Sequence, residues 1–519
     1  MVELFVMVDP TTKRRRIQST LGPFLSVPGL QEIARYGGYA TYRAVRNTDP
    51  WIRQSLKLFD PDLYGNIYGF TRRPAGPEGM YKSLMKFGES MPRFTDMSTV
   101  QRSAMKTAIT AARKRFKTPV KFEPLEWSEV GQHMRRDTSA GVSFPGKKKG
   151  DVMERIYAEG RWLGHRMKQG GKGRFDPRKV RMPPCLATQR GHLSPRDDPK
   201  TRLAWIYPSE MLMVEGLYAP TMYKAFEAMP DSPLLLGKGS HRLFSEWVSA
   251  ATPGMRLYGL DFSSFDTKVP AWLIHTAFDI LHDNIDWLHW RGKPTTKRSR
   301  QKWKNVWDGM VYYFINTPIL MPDGRMFRKR RGVPSGSWWT QLVDSVVNWI
   351  LVKYLSLCQG VNAKNLRVLG DDSAFMAAET MDLSVAAEDA AAVGMDLSDE
   401  KSISVEDATE LKLLGVRYRD GHAFRETEEW FKLALYPEGD VPDIATSLTR
   451  LVGLWIGGAM WDTKFSRFME YFQGCYPCPS EGWFSKDQRR WMEIVHGGRA
   501  PRGWTKNKNL FWRSIFYTL

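Results

Sequence analysis

Residues 368–375 read VLGDDSAF, from Val368 to Phe375. Asn365 to Leu369 supplies a short apolar strand, Gly370 permits a tight turn, and Ser373 to Ala377 runs back as its partner. Asp371 and Asp372 therefore sit side by side at a hairpin tip. Adjacent carboxylates raise each other's pKa unless cations are near, so an ionised pair here calls for a metal or for Lys/Arg neighbours. Magnesium is the natural candidate, because it takes hard oxygen ligands and completes its shell with water and substrate phosphates. Gly and Asp are also ordinary turn residues. The tripeptide gains its weight from what surrounds it.

The chain has 519 residues, which is room for about three domain-sized units or one large protein with three lobes. At 42% hydrophobic and 13% aromatic residues it is a globular chain and not a disordered one. A formal charge of +20 favours a polyanionic partner. Nucleic acid fits that charge best, and an anionic membrane fits less well. No basic n-region precedes the short apolar run at the start, and no stretch of about eighteen apolar residues occurs, so a soluble protein without membrane contact is expected. Four cysteines are too few for a disulfide framework. Cys475 and Cys478 form a CxxC pair, but Cys185 and Cys358 are too distant in sequence to read as the rest of a zinc site.

The positive charge is concentrated. From Pro145 to Arg202 there are 16 Lys+Arg against 6 Asp+Glu, a surplus that is half of the chain's total. This stretch follows TSAGVSFPGKKKGD (Thr138–Asp151) and ends in DDPKTRLAWIYPSE (Asp197–Glu210). Lys200 and Arg202 alternate on an extended segment, so both can project to one side and meet a triphosphate or a nucleic-acid backbone. Pairing with Asp197 and Asp198 is the plainer alternative. A basic helical stretch is expected earlier, at Ser103–Lys117. A strand-like run, RLYGLDF, delivers Asp261 at its end, and Asp266 follows in the loop beyond, before a helix that Pro270 can start. A basic and aromatic insertion spans about Trp290 to Arg331. Next comes GVPSGSWWTQLVDSVVNWILVKYL (Gly332–Leu355), a Gly-rich loop leading into a buried helix whose Thr340, Asp344 and Asn348 form one polar stripe. That stripe either faces a substrate or closes an internal network. Beyond the hairpin lie a helix from Leu383 ended by Gly394, a strand preceded by Lys401, a hairpin turning at Asp420-Gly421, and a mainly helical C-terminal part with an apolar face of Leu448, Leu451, Val452 and Trp455. The chain closes on an aromatic and basic tail, Lys506–Leu519, expected either to dock on the helical part or to fold back into the active-site channel.

Acidic groups on strand ends and turns, more than a hundred residues apart in sequence, are a platform for two divalent cations in phosphoryl or nucleotidyl transfer. In the order of its motifs the chain resembles the viral RNA-dependent RNA polymerases over roughly residues 138–424. TSAGVSFPGKKKGD is similar to their motif G, KTRLAW to motif F, DFSSFD to motif A, SGSWWT to motif B, LGDDS to motif C, GMDLSDEKS to motif D and LKLLG to motif E. SGSWWTQLVDSVVN looks closest to double-stranded RNA viruses of the picobirnavirus and partitivirus type. The resemblance implies an α+β fold, a right hand of fingers, palm and thumb with an antiparallel palm sheet backed by helices. Its division would be an N-terminal extension and fingers at 1–257, palm at 258–284, a fingers insertion at 285–331, palm at 332–424, and thumb with tail at 425–519.

It also implies roles. Asp261, Asp371 and Asp372 would hold Mg2+, with Mn2+ able to substitute, and Lys401 would be the general acid toward pyrophosphate. Lys200, Arg202, Asp266, Ser335, Gly336, Thr340, Asp344 and Asn348 would shape the NTP site. Many relatives carry Asn where this chain has Asp344, so the ribose contact falls to Asp344 or to Asn348. Thr138, Ser139, Lys147, Lys148 and Lys149 would line the RNA path. Partners would be template and product RNA, nucleoside triphosphates and a viral capsid protein, with a monomer working in the virion interior and host cytoplasm. A reverse transcriptase shares the palm and both metals, and a non-catalytic RNA-packaging protein would need only the charge; both stay open at this point.

Overall fold

The structure is a computed structural model that describes residues 23–39, 47–74, 76–169, 174–236, 254–419, 422–477, 479–496 and 500–505. The expected hairpin is present. Lys364–Leu369 and Asp372–Ala377 pair antiparallel with Leu369 opposite Asp372, so only Gly370 and Asp371 make the turn. Gly370 takes φ +66°, a left-handed conformation that a side chain would strain. Arg256–Gly259 pairs with the far side of Asp372–Ala377 and Ile403–Val405 pairs beyond it, completing a four-stranded antiparallel sheet.

Behind this sheet runs the Thr340–Cys358 helix, which packs on the Lys364–Leu369 strand and on two further helices, Thr99–Arg115 and Ala271–His282. It is apolar nearly all round because it is surrounded nearly all round. The basic stretch expected at Ser103–Lys117 lies in the Thr99–Arg115 helix as far as Arg115, with Phe116 as the helix's C-terminal cap. Ser98 and Gln101 start that helix with reciprocal capping hydrogen bonds of 3.1 and 2.9 Å. Its Ala104, Ala108 and Ala112, at four-residue spacing, let it lie close against the central helix.

A second sheet has six strands in the spatial order Ser26–Val27, Leu30–Arg35, Arg325–Lys329, Pro318–Leu320, Cys185–Gly191, Thr201–Ile206. Three separate parts of the sequence thus meet in one layer: the N-terminal strands, the insertion and the basic KTRLAW segment. The C-terminal helices Thr427–Leu435, Ile444–Ile456 and Thr463–Cys475 make an apolar cluster of their own, with Leu448, Leu451 and Val452 buried and Trp455 packed against it. Two N-terminal helices, Pro50–Phe59 and Pro61–Ile67, insert Ile52, Leu56, Leu63 and Ile67 into that same cluster. The chain before residue 257 therefore serves two packing units. Among the described residues, no helix is long and apolar enough to cross a membrane. The Asp420-Gly421 turn, Cys478 and the Lys506–Leu519 tail lie outside the described residues.

Candidate active site

The four-stranded sheet sets the geometry of the carboxylates. Tyr258 stands opposite Phe375, and the same register carried on by three residues sets Asp261 opposite Asp372. Asp261 is fixed through its backbone: its N–H donates to Ser402 Oγ (3.1 Å) and its carbonyl accepts from Ser398 N–H (2.9 Å). Lys401, exposed and next to Ser402, is thereby held at the same edge. Asp266 lies in a short helix, Phe265–Lys268, rather than in the expected loop, and its carbonyl accepts from Val333 N–H (2.6 Å) at the start of the Gly-rich loop.

These acids form one electrostatically connected set. Asp372 is pushed up to about 7, first by the protein mass crowded around it although its side chain reaches solvent, then by Asp371 and Asp261, with Lys412 opposing. Asp266 is pushed up to about 6 by burial and by Asp371, with Arg202 opposing. Burial drives Asp344 well above the carboxylate range, and Asp266 and Asp371 drive it further. An accumulation of anions on two strand ends, short of compensating cations, suits a divalent cation that takes hard oxygen donors. Among the described residues no group of three or more His, Cys, Asp or Glu side chains is placed to hold a metal ion.

The polar stripe of the central helix divides in two. Asn348 is wholly buried and its Nδ2 donates to the Gly370 carbonyl (3.0 Å), while Gly370 N–H donates to Ser345 Oγ (2.8 Å). Asn348 thus positions the hairpin through its Nδ2, while its Oδ1 is buried without a partner. Asp344, one turn earlier, faces Asp266 and Asp371 and keeps Oδ1 buried without a partner. Thr340 Oγ1 donates to the Pro334 carbonyl (2.8 Å) and Ser335 Oγ accepts from Trp205 N–H (3.2 Å), so both hydroxyls hold the loop. Gly336 takes φ +98°, and a Cβ there would sit 2.5 Å from the Trp205 carbonyl oxygen. Glu215, which the sequence reading passed over, is fully buried and accepts from Ser337 Oγ (2.8 and 2.9 Å) and Trp338 N–H (2.9 Å). Burial pushes its carboxyl up to about 7.

The basic residues divide as well. Lys200 and Arg202 are exposed, and among the described residues neither forms an ion pair with Asp197 or Asp198, which removes the plainer alternative. In the TSAGVSFPGKKKGD loop Lys147 and Lys148 are exposed and Ser139 bridges to Lys148. Lys149 is not available to RNA. It is buried, and its Nζ donates to Thr138 Oγ1 (2.7 Å) and the Ser139 carbonyl (2.9 Å), with burial lowering its pKa to about 8. Lys149 and Thr138 brace the loop that presents the other two lysines.

Comparisons with known proteins identify the family and the fold. The sequence pattern of the family described as viral RNA-dependent RNA polymerase matches residues 27–473. The chain is 35% identical over 204 residues to the RNA-directed RNA polymerase of Cryptosporidium parvum virus 1, covering 37% of this chain and 34% of that protein. It is 23% identical over 212 residues to that of White clover cryptic virus 1, with the same shares covered. The match thus spans about a third of the length of these curated relatives. The crystal structure of the RNA-dependent RNA polymerase of a human picobirnavirus superposes with a TM-score of 0.58 at 15% identity, covering 84% of this chain and 85% of that one. The fold is therefore the expected α+β right hand, and the match over residues 27–473 places the chain in the viral RNA-dependent RNA polymerase family.

Proposed function

We propose that this chain is the RNA-directed RNA polymerase of a double-stranded RNA virus. It copies an RNA template by nucleotidyl transfer from nucleoside triphosphates, replicates and transcribes the viral genome, and starts without a primer. The observation that carries this reading is the set of Asp261, Asp371 and Asp372 on neighbouring strand ends, with Asp266 and Arg202 beside it and Lys401 at its edge. The family generally uses divalent metal ions. Magnesium, with manganese able to substitute, would neutralise the attacking and leaving oxygens when held by Asp261, Asp371 and Asp372.

The chain's own residues do the rest. Lys200 and Arg202 hold the triphosphate, and Asp266, next to Asp344, meets the ribose 2′-hydroxyl. Lys401 delivers a proton toward the pyrophosphate oxygen. Ser335, Gly336 and Thr340 shape the floor on which base and sugar rest, while Ser139, Lys147 and Lys148 contact the RNA backbone. We read the chain as 1–257 extension and fingers, 258–284 palm, 285–331 fingers insertion, 332–424 palm and 425–519 thumb. It works as a monomer in the virion interior and host cytoplasm, against a capsid protein and without a membrane. Asp266 weighs against a reverse transcriptase, since such enzymes usually set a bulky side chain against the 2′ position. The intact carboxylate set weighs against a packaging protein. Purified chain, an RNA template and rNTPs or dNTPs, with and without magnesium and primer, test the reading. Template-length RNA made from rNTPs only with the divalent ion is expected; DNA synthesis or no synthesis overturns it.

A further inference from the structure

The basic and aromatic insertion carries a cavity of about 710 Å³ that the polymerase reading does not use. Its walls are the hairpin formed by His289–Trp290 and Lys293–Pro294, the start of the Lys297–Ile315 helix, and Lys168 from the end of the Met153–Lys168 helix. The Lys297–Ile315 helix has 19 residues. It is therefore about 28 Å long, and the six-stranded sheet begins just past its other end. None of the residues that line the cavity belongs to the carboxylate set.

Three observations converge on it. Lys168, Lys293 and Lys302 line the cavity, no carboxylate lines it, and among the described residues none of the three has an ion-pair partner. Such like charges repel: burial, Lys302 and Arg161 all lower the pKa of Lys168, as expected of cations gathered without a counter-ion. Second, Trp290 and Trp303 form aromatic walls with centroids 6.1 Å apart and planes at 51°, and the Trp290 indole N–H is buried without a partner. Third, the walls are held in place. Gly292 N–H donates to Glu123 Oε1 (3.1 Å), Arg291 pairs with Glu126 (3.1 Å), and Thr296 caps the helix by accepting from Ser299 N–H (3.1 Å). The positive end of that helix adds to the lysines.

Lys168 Nζ already lies over the Trp303 ring, 4.3 Å from its centroid, so Trp290, Lys293 and Lys302 are the groups left for a ligand. A plain anion would leave the Trp290 indole idle, whereas an apolar ligand would leave two cations facing it. A planar base joined to a phosphate answers both, because bases stack on aromatic side chains and phosphate takes ammonium donors. We propose that this cavity is a nucleoside-phosphate site, with the base against Trp290 and the phosphate on Lys293 and Lys302. The phosphate comes either from a free nucleotide or from the end of an RNA strand. This goes beyond the polymerase reading and does not depend on it.

The test is calorimetric titration of the full chain in EDTA, which withholds divalent ions from the polymerase site. The probes are AMP, GMP, a 5′-phosphorylated RNA tetranucleotide, its 5′-hydroxyl form and inorganic phosphate. Variants are Lys293→Glu/Lys302→Glu and Trp290→Leu, with primed extension measured on the same preparations. The charge variant is expected to weaken nucleotide binding about ten-fold or more, and Trp290→Leu to weaken nucleotides but not inorganic phosphate. Primed extension at saturating NTP should stay within about two-fold. Equal affinity for mononucleotides and tetranucleotide identifies a free-nucleotide site; preference for the 5′-phosphorylated strand identifies a strand-end site. No binding by the parent chain, affinities unchanged in the charge variant, or inorganic phosphate binding as tightly as nucleotides overturns the proposal. If Trp290→Leu fails to fold by circular dichroism, the charge variant alone decides. Lost extension in the parent chain with intact binding counts against the polymerase reading alone.

Discussion

At the scale of the residue, Asp371 and Asp261 have one task, which is to present negative oxygen at the end of a strand. Replacing either by Asn keeps the shape and removes the charge. Asp371→Asn or Asp261→Asn is expected to lower incorporation by about a thousand-fold or more while RNA binding stays within about two-fold, because the basic surface carries binding. Turnover near the parent rate, measured with saturating template, would remove the assignment. Asp266 makes a different prediction. A site built to hydrogen-bond a hydroxyl rejects substrates lacking it, so Asp266→Ala should raise dNTP use relative to rNTP use in a competition assay, and unchanged discrimination would take the ribose away from it. The acids were legible because Gly-Asp-Asp names its own turn. Direction was not: three consecutive lysines read alike, yet only Lys147 and Lys148 face outward, while Lys149 turns in to hold the loop. The bond from Asn348 to the Gly370 carbonyl was not legible for the same cause, since helical spacing gives the face but not the partner. Glu215 left a usable signal, an acid that with Glu210 interrupts the otherwise apolar run SEMLMVEG, and such a residue buried must have donors.

At the scale of the element, Gly332 to Cys358 works as one piece, a loop pinned to the Thr201–Ile206 strand and a helix that backs the hairpin. Glu215 is the peg that fixes the loop's end from below. Its pKa is raised from 4.5 to about 7 by burial, so the folded state holds its proton more tightly than the unfolded chain does. Stability is then full below about pH 4.5 and declines as pH rises toward 7, where the buried carboxyl is forced to ionise. Glu215→Gln removes that slope. The difference in Tm between Glu215→Gln and the parent should move in favour of the variant from pH 5 to pH 8, and a pH-independent difference would show that the carboxyl titrates normally. The hairpin and the central helix were readable because each is contiguous and has one strong period. The six-stranded sheet was not, since its strands come from residues 26–35, 185–206 and 318–329, and nothing local in a short strand names a partner 290 residues away.

At the scale of the whole molecule, the N-terminal segment is a second connection between the lobes. Its Leu30–Arg35 strand belongs to the six-stranded sheet, while the helices from Pro50 to Ile67 belong to the C-terminal cluster. Between them Asp49 is fully buried, accepting from Ser447 Oγ (2.7 and 2.9 Å) and Arg450 Nη1 (2.7 Å). Arg450 also donates to the Leu433 and Ala434 carbonyls (3.0 and 2.8 Å), and Tyr436 donates to the Ile67 and Tyr68 carbonyls (2.9 and 2.8 Å). Glu438 accepts from Arg72 (2.7 Å) and from Arg190 (2.9 Å) on the Cys185–Gly191 strand, which extends the link to the six-stranded sheet. Removing one member of a buried ion pair leaves the other uncompensated, at about 3–5 kcal/mol. Arg450→Met should therefore destabilise the C-terminal cluster by that order in chemical denaturation. The pair Asp49→Asn/Arg450→Met should recover a large part of the loss, because it removes the stranded charge too. The carboxylate site lies in another packing unit, so primed addition of the first nucleotides should persist below the unfolding temperature. Products made under a heparin trap should shorten, since the lobes that embrace the RNA are no longer tied together. A single variant as stable as the parent, or a double variant no better than the single, would show that the Asp49–Arg450 pair does not join the lobes.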